Sequence, residues 1–126
     1  MILVDTSIWI DHFRNVDHKL VDLLDNKRVL SHPFVIGELA LGSQSKRRRL
    51  FGILQDLPEA VTVSVDEALH FIEVHGLAGQ GIGYVDAHLL ASAQLTDDAR
   101  LWTRDKRLAG AAERLGLGMQ PHWRSP

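Results

Sequence analysis

Four carboxylates stand where an α/β chain would need them for work on a phosphodiester. Asp5 ends the apolar run Ile2-Leu3-Val4, and Asp105 lies just past Leu101-Trp102-Thr103. Glu38 sits inside Val35-Ile36-Gly37-Glu38-Leu39, and Asp86 follows Tyr84-Val85. An acid at a helix start has a plain structural use, capping the first turn or complementing the macrodipole, and that use is open to Asp5, Asp86 and Asp105. Glu38 differs, because it falls past the first turn of an apolar helix, where glutamate is seldom buried without a partner. Converged on one cleft, four carboxylates would repel one another unless a cation joined them. Oxygen-only ligands in a chain with no cysteine favour Mg2+ or Mn2+ over zinc. Two such ions about 3.5–4 Å apart activate water and steady the leaving oxygen in phosphodiester hydrolysis.

The elements that must position these acids follow from the apolar pattern. Ile2 to Val4 reads as a buried parallel strand, and Asp5-Thr6-Ser7 opens a helix from Ser7 to Phe13. A second helix runs from Asp17 to Lys27, with Asp17 as its N-cap. Arg28 to Ser31 is a second strand. Pro33 starts the helix that carries Glu38, and Gly42 stops it. Lys46 to Leu57 is a basic amphipathic helix, Ala60 to Val63 a third strand, and Val65 to His75 a further helix. Glycine-rich residues 76–83 make a tight loop that delivers Asp86 on the helix Tyr84 to Leu95. Arg100 to Thr103 is a fourth strand, and Asp105 to Leu115 the last helix. Alternating strands and helices predict an α/β/α sandwich around a mostly parallel sheet, whose ligands bind outside the carboxyl ends of the strands.

These motifs, in this order, resemble PIN-domain ribonucleases and above all the VapC toxins of type II toxin–antitoxin systems. The resemblance rests on Val4-Asp5-Thr6-Ser7, Val35-Ile36-Gly37-Glu38-Leu39, Gly81 to Ala91, and Leu101-Trp102-Thr103-Arg104-Asp105, and runs from Met1 to about Leu117. It implies a PIN-like three-layer α/β/α sandwich with a mostly parallel central sheet. It further implies a toxin that is a Mg2+- or Mn2+-dependent endoribonuclease, with Asp5, Glu38, Asp86 and Asp105 as catalytic and metal-holding acids. Thr6 and Thr103 match hydroxyls that support those acids. The expected partners are an RNA substrate, a cognate VapB-like antitoxin and a second copy in a homodimer. Antitoxin is expected in an apolar groove near Ile8, Trp9, Phe13 and Leu39.

Length and charge agree with this reading. The 126 residues give room for one domain over 1–126, with a tail from about 118 expected to be loose. Net charge is -2, but setting the four acids aside leaves 12 acidic against 14 basic side chains, a balance of +2 that tolerates RNA. Lys46, Arg47, Arg48 and Arg49 form a run that contacts RNA or a partner, or else is a solvated helix face. No apolar run approaches the roughly 18 residues of a membrane span. The opening residues lack a basic leader, so a cytoplasmic location is expected.

Competing chemistries find less support. The glycine cluster is not G-x-G-x-x-G and follows no strand, so it is no nucleotide cradle. The seven histidines show no H-E-x-x-H spacing, and Ser7 has no activating histidine beside it. An aspartate-nucleophile phosphatase would want a second aspartate where Ser7 stands. A receiver domain would need adjacent acids near the first strand and a lysine after the last. Trp9 and Trp102 read as packing residues, His88 as exposed or packed, and Trp123 as a contact for a partner. The alternative that survives is a catalytically inactive RNA-binding or antitoxin-binding PIN-like module.

Overall fold

The computed structural model describes residues 1–42 and 47–119, with the Arg47 side chain left out. At its centre lies β1 (Ile2–Val4), whose three side chains are completely buried. Continuous aliphatic residues suit a strand covered on both faces. β2 (Val29–Leu30) and β3 (Arg100–Trp102) flank it, giving a parallel sheet of order β2-β1-β3. Ile2 pairs with Val29 and Arg100, and Val4 pairs with Trp102. The Asp5 amide donates to the Trp102 carbonyl at 2.9 Å. The chain therefore leaves β1 still registered on β3, and Asp5 emerges beside the end of β3.

Helices cover the sheet, and most have a local reason to begin where they do. α1 (Thr6–Arg14) is capped by Asp5 and α2 (His18–Asp25) by Asp17. α3 (Pro33–Ala40) starts on proline with His32 as its cap. α4 (Arg47–Gln55) follows, and Ser64 and Glu67 close a capping box around the start of α5 (Val65–Val74). α6 (Tyr84–Leu95) buries every residue from Ala87 to Ala93. A helix apolar on all sides belongs between layers rather than on a surface. α7 (Lys106–Arg114) is capped by Asp105. Between α5 and α6, Gly76, Gly79 and Gly81 all take positive φ, so the tight loop expected before Asp86 is present. At Gly81, with φ +75°, a Cβ would also meet the Arg107 side chain 2.5 Å away. Among the described residues, no helix is long and apolar enough to cross a membrane.

One expectation needs correction here. Residues 60–63 form no strand; Glu59, just before them, makes an isolated parallel bridge to Ser31. The Ala60 amide still reaches the Ser31 carbonyl at 2.9 Å, but the next amide, of Val61, donates to Thr96 Oγ1 at 2.9 Å. A side chain beyond the end of α6 thus takes the chain away from the sheet edge. The segment expected to be loose from about 118 is tied to the sheet at its start, where the Met119 amide donates to the Leu101 carbonyl at 3.1 Å. Trp123 and the rest of the tail lie outside the described residues.

Candidate active site

Asp5 is the hub of the site. It is only 6% exposed, and both of its carboxylate oxygens are engaged. Oδ1 accepts from the Thr6 amide at 2.8 Å. Oδ2 accepts from Ser7 Oγ at 2.9 Å and from Thr103 Oγ1 at 2.7 Å. Thr103 Oγ1 in turn accepts from the Asp105 amide at 3.1 Å, so one hydroxyl ties the first acid to the last. Asp105 is exposed and turns Oδ1 onto the Arg107 and Leu108 amides at 2.9 and 3.1 Å, capping α7. Both structural and chemical uses of these acids are therefore open at once.

Glu38 reaches the same place from α3, its Oε1 accepting from Thr6 Oγ1 at 2.7 Å. It is exposed rather than buried in an apolar helix, which corrects the environment expected for it. Gly37 beside it has open space, and α3 turns Val35 and Leu39 to the core while Glu38 faces the cleft. Asp86 completes the set from the first turn of α6. Burial pushes its pKa up to about 6, and the charges of Asp5, Asp105 and Glu38 add to the rise. The Gly83 amide, hydrogen-bonded to Asp86, opposes the shift. All three other acids are close enough to act on this one carboxyl.

The donors suit a hard divalent cation, since they are carboxylates supported by hydroxyls. They are not drawn into a closed shell: among the described residues, no three acidic or imidazole side chains are gathered so as to hold one ion. The site is an open convergence of negative charge.

Two further contacts hold the acids in place and leave no periodic trace in the sequence. Arg104 donates from Nε to Asp11 at 3.0 Å and from Nη2 to Asp17 at 2.8 Å, with its guanidinium 5.5 Å from the Trp102 ring centre. Its own amide donates to Ser7 Oγ at 3.0 Å, so the turn presenting Asp105 is pinned to α1 and α2. His32 is 2% exposed and caps α3, its Nδ1 accepting from the Phe34 amide at 3.0 Å. With Nδ1 accepting, Nε2 carries the proton and donates to Ser92 Oγ at 3.0 Å.

Burial, and then the neighbouring His88, lowers the His32 pKa to about 4. The unfolded chain binds this proton near pH 6.5 and the folded one does not. His32 therefore contributes stability that is complete above pH 6.5 and lost as pH falls toward 4, up to about 3 kcal/mol. Asp86 works in the opposite direction over part of that window, so the His32 share is read against a His32→Asn variant. Urea denaturation from pH 7.5 to 4.5 should show the wild type losing more stability than the variant. Parallel losses would reject the neutral cap.

Of the basic run, Lys46 and the Arg47 side chain lie outside the described residues, while Arg48 and Arg49 are exposed. Arg49 helps line a cavity of about 370 Å³ with Trp9, Phe13, Leu24, Leu50 and Ile53. Part of the expected groove is thus present. Ile8 and Leu39, also expected there, lie in the core.

Three parallel strands sandwiched by helices, with acids at the carboxyl ends of β1 and β3, define a class. A family model for the PIN domain matches residues 2–114, and the chain belongs to the PIN-domain family. Within it the chain falls among the VapC proteins, being similar to Ribonuclease VapC32 from two strains of Mycobacterium tuberculosis. Identity to each is 47% over 119 residues, covering 94% of this chain and 96% of the relative. The fold is also similar to the crystal structure of PAE2754 from Pyrobaculum aerophilum, at a TM-score of 0.62 and 18% identity. That match covers 89% of this chain and 79% of the other.

Proposed function

We propose that this protein is the toxin of a type II toxin–antitoxin pair and hydrolyses RNA phosphodiester bonds with Mg2+ or Mn2+. The observation that carries the reading is the convergence on Asp86: Asp5, Glu38 and Asp105, from three separate segments, all raise the affinity of its carboxyl for a proton. A divalent cation bound among these oxygens would neutralise their repulsion and supply a Lewis acid for the attacking water and leaving oxygen. Asp5, Glu38, Asp86 and Asp105 would hold it. Ser7 and Thr103 orient Asp5, and Thr6 orients Glu38. Arg48 and Arg49, with Lys46 and Arg47, would meet RNA phosphates or an acidic segment of the antitoxin. The Trp9–Phe13 cavity would seat apolar residues of a VapB-like antitoxin, and the working form would be a cytoplasmic homodimer. The likeness to Ribonuclease VapC32 supports the ribonuclease and toxin assignment.

The open arrangement of the acids favours one second reading, a PIN-like module that binds RNA or antitoxin without cutting. Metal dependence separates the two. Labelled RNA should be cut in Mg2+ or Mn2+, spared with EDTA, and cut again when excess metal is restored. Cutting that ignores EDTA would reject the metal-dependent mechanism, and binding without cutting under all these conditions would favour the module.

A further inference from the structure

Phe34, His88 and Tyr84 form a ladder of rings between α3 and α6. The Phe34 and His88 centroids are 4.8 Å apart at 67°, and those of His88 and Tyr84 are 4.7 Å apart at 87°. His32 supports the far side, 5.3 Å from Phe34. The middle ring is only 3% exposed, yet Phe34 is 39% and Tyr84 46% exposed. Two large rings are thus held at the surface by edge contacts to a buried imidazole, which fixes their orientation.

The ladder stands on the two helices that carry Glu38 and Asp86. Phe34 lies one turn before Glu38 on the same face of α3, since residues four apart are neighbours on a helix. Tyr84 lies in the first turn of α6, two residues before Asp86 and so on another side of that helix, on the side that meets α3 through His88 and Phe34. The rings therefore border the cleft on its Glu38 side, where α3 meets α6. Beside these acids phosphate is held only through a cation or basic side chains, so a contact that charge does not resist would add affinity for RNA there. Stacking is such a contact, because every base has a π-face.

We infer that Phe34 and Tyr84 form a stacking platform for an unpaired RNA base adjoining the phosphate presented to the acids; this rests on the nuclease reading above. A second copy of the chain is the competing occupant. Two half-exposed rings offer roughly 150–200 Å² between them, far short of the roughly 800 Å² per partner of a stable interface. Their size matches one base.

The chain has one tyrosine, so 3-fluorotyrosine gives a single 19F resonance that reports on Tyr84. In the Asp86→Asn variant, whose cleft repels phosphate less, decauridylate or decaadenylate should shift that resonance. An abasic ribose-phosphate decamer should leave it in place. In otherwise wild-type protein with Mg2+, Tyr84→Leu should raise KM for RNA about 5- to 150-fold with kcat changed less than about twofold, and Tyr84→Phe should restore KM. Equal shifts with the abasic chain, or a shift with protein concentration in the absence of RNA, would overturn the platform. So would a Tyr84→Leu loss confined to kcat. RNA that is cut while the resonance stays still removes the platform alone. RNA that moves the resonance but is never cut by the wild type removes the nuclease reading and keeps the platform.

Discussion

Asp86→Asn is expected to abolish RNA cleavage and, in metal-free protein at pH 7.5, to raise the melting temperature. Partners one shell removed from a metal ordinarily cost 10–100-fold when mutated, so an acid at the centre of the cluster should cost at least about 100-fold. The stability effect follows from the raised carboxyl. Its pKa moves from 3.8 up to about 6, so the folded state binds the proton more tightly than the unfolded one. The associated stability is complete below pH 3.8 and lost as pH rises through 6. Asparagine removes that loss, a gain of roughly 1–2 kcal/mol once solvent screening of this half-buried group is allowed for. A few degrees in Tm would result. With saturating Mg2+ the order should reverse, because a cation held only by the folded wild type stabilises it. Thermal melts with EDTA and with Mg2+ check both signs, and a variant that melts lower in EDTA would show that Asp86 serves the fold.

Asp5→Ala should lose cleavage equally and move stability the other way. Asp5 receives hydrogen bonds from the Thr6 amide, Ser7 Oγ and Thr103 Oγ1. Alanine removes an N-cap and leaves those part-buried donors without their acceptor, a cost of roughly 2–4 kcal/mol. Asp5→Asn keeps one oxygen and should cost less, since hydroxyls can turn to suit it. Urea denaturation of the two variants at pH 7.5 tests the ordering. An alanine variant as stable as the wild type would contradict the hub described for Asp5.

The acids and their mounting were legible because local rules govern them. An aliphatic run ending in a capping residue marked β1, Leu101-Trp102-Thr103 ahead of Asp105 marked β3, and proline marked the start of α3. Helical spacing then gave α2 and α6 close to their observed bounds. What stayed hidden depends on contacts between distant segments. Residues 60–63 have the side chains of a strand, but Thr96 captures the Val61 amide. Glu38 looked buried by its sequence neighbours, yet its direction is decided by where α1 brings Thr6. Phe34 meets His88 in the ring ladder and Arg104 meets Asp11 in the clamp, both across more than 50 positions, with no spacing that could announce them.

Thr103 has a mechanical consequence. Its hydroxyl donates a hydrogen bond to Asp5 and accepts one from the Asp105 backbone amide, at the rim of a sheet whose strands are locked in register. It acts as a rivet between two mounts. Neither acid can be re-aimed without dragging the other, so thermal jitter there should track that of the strands. Tuning such a centre in small steps would be hard: a shift along the ladder moves by whole residues, and every intermediate setting breaks the rivet.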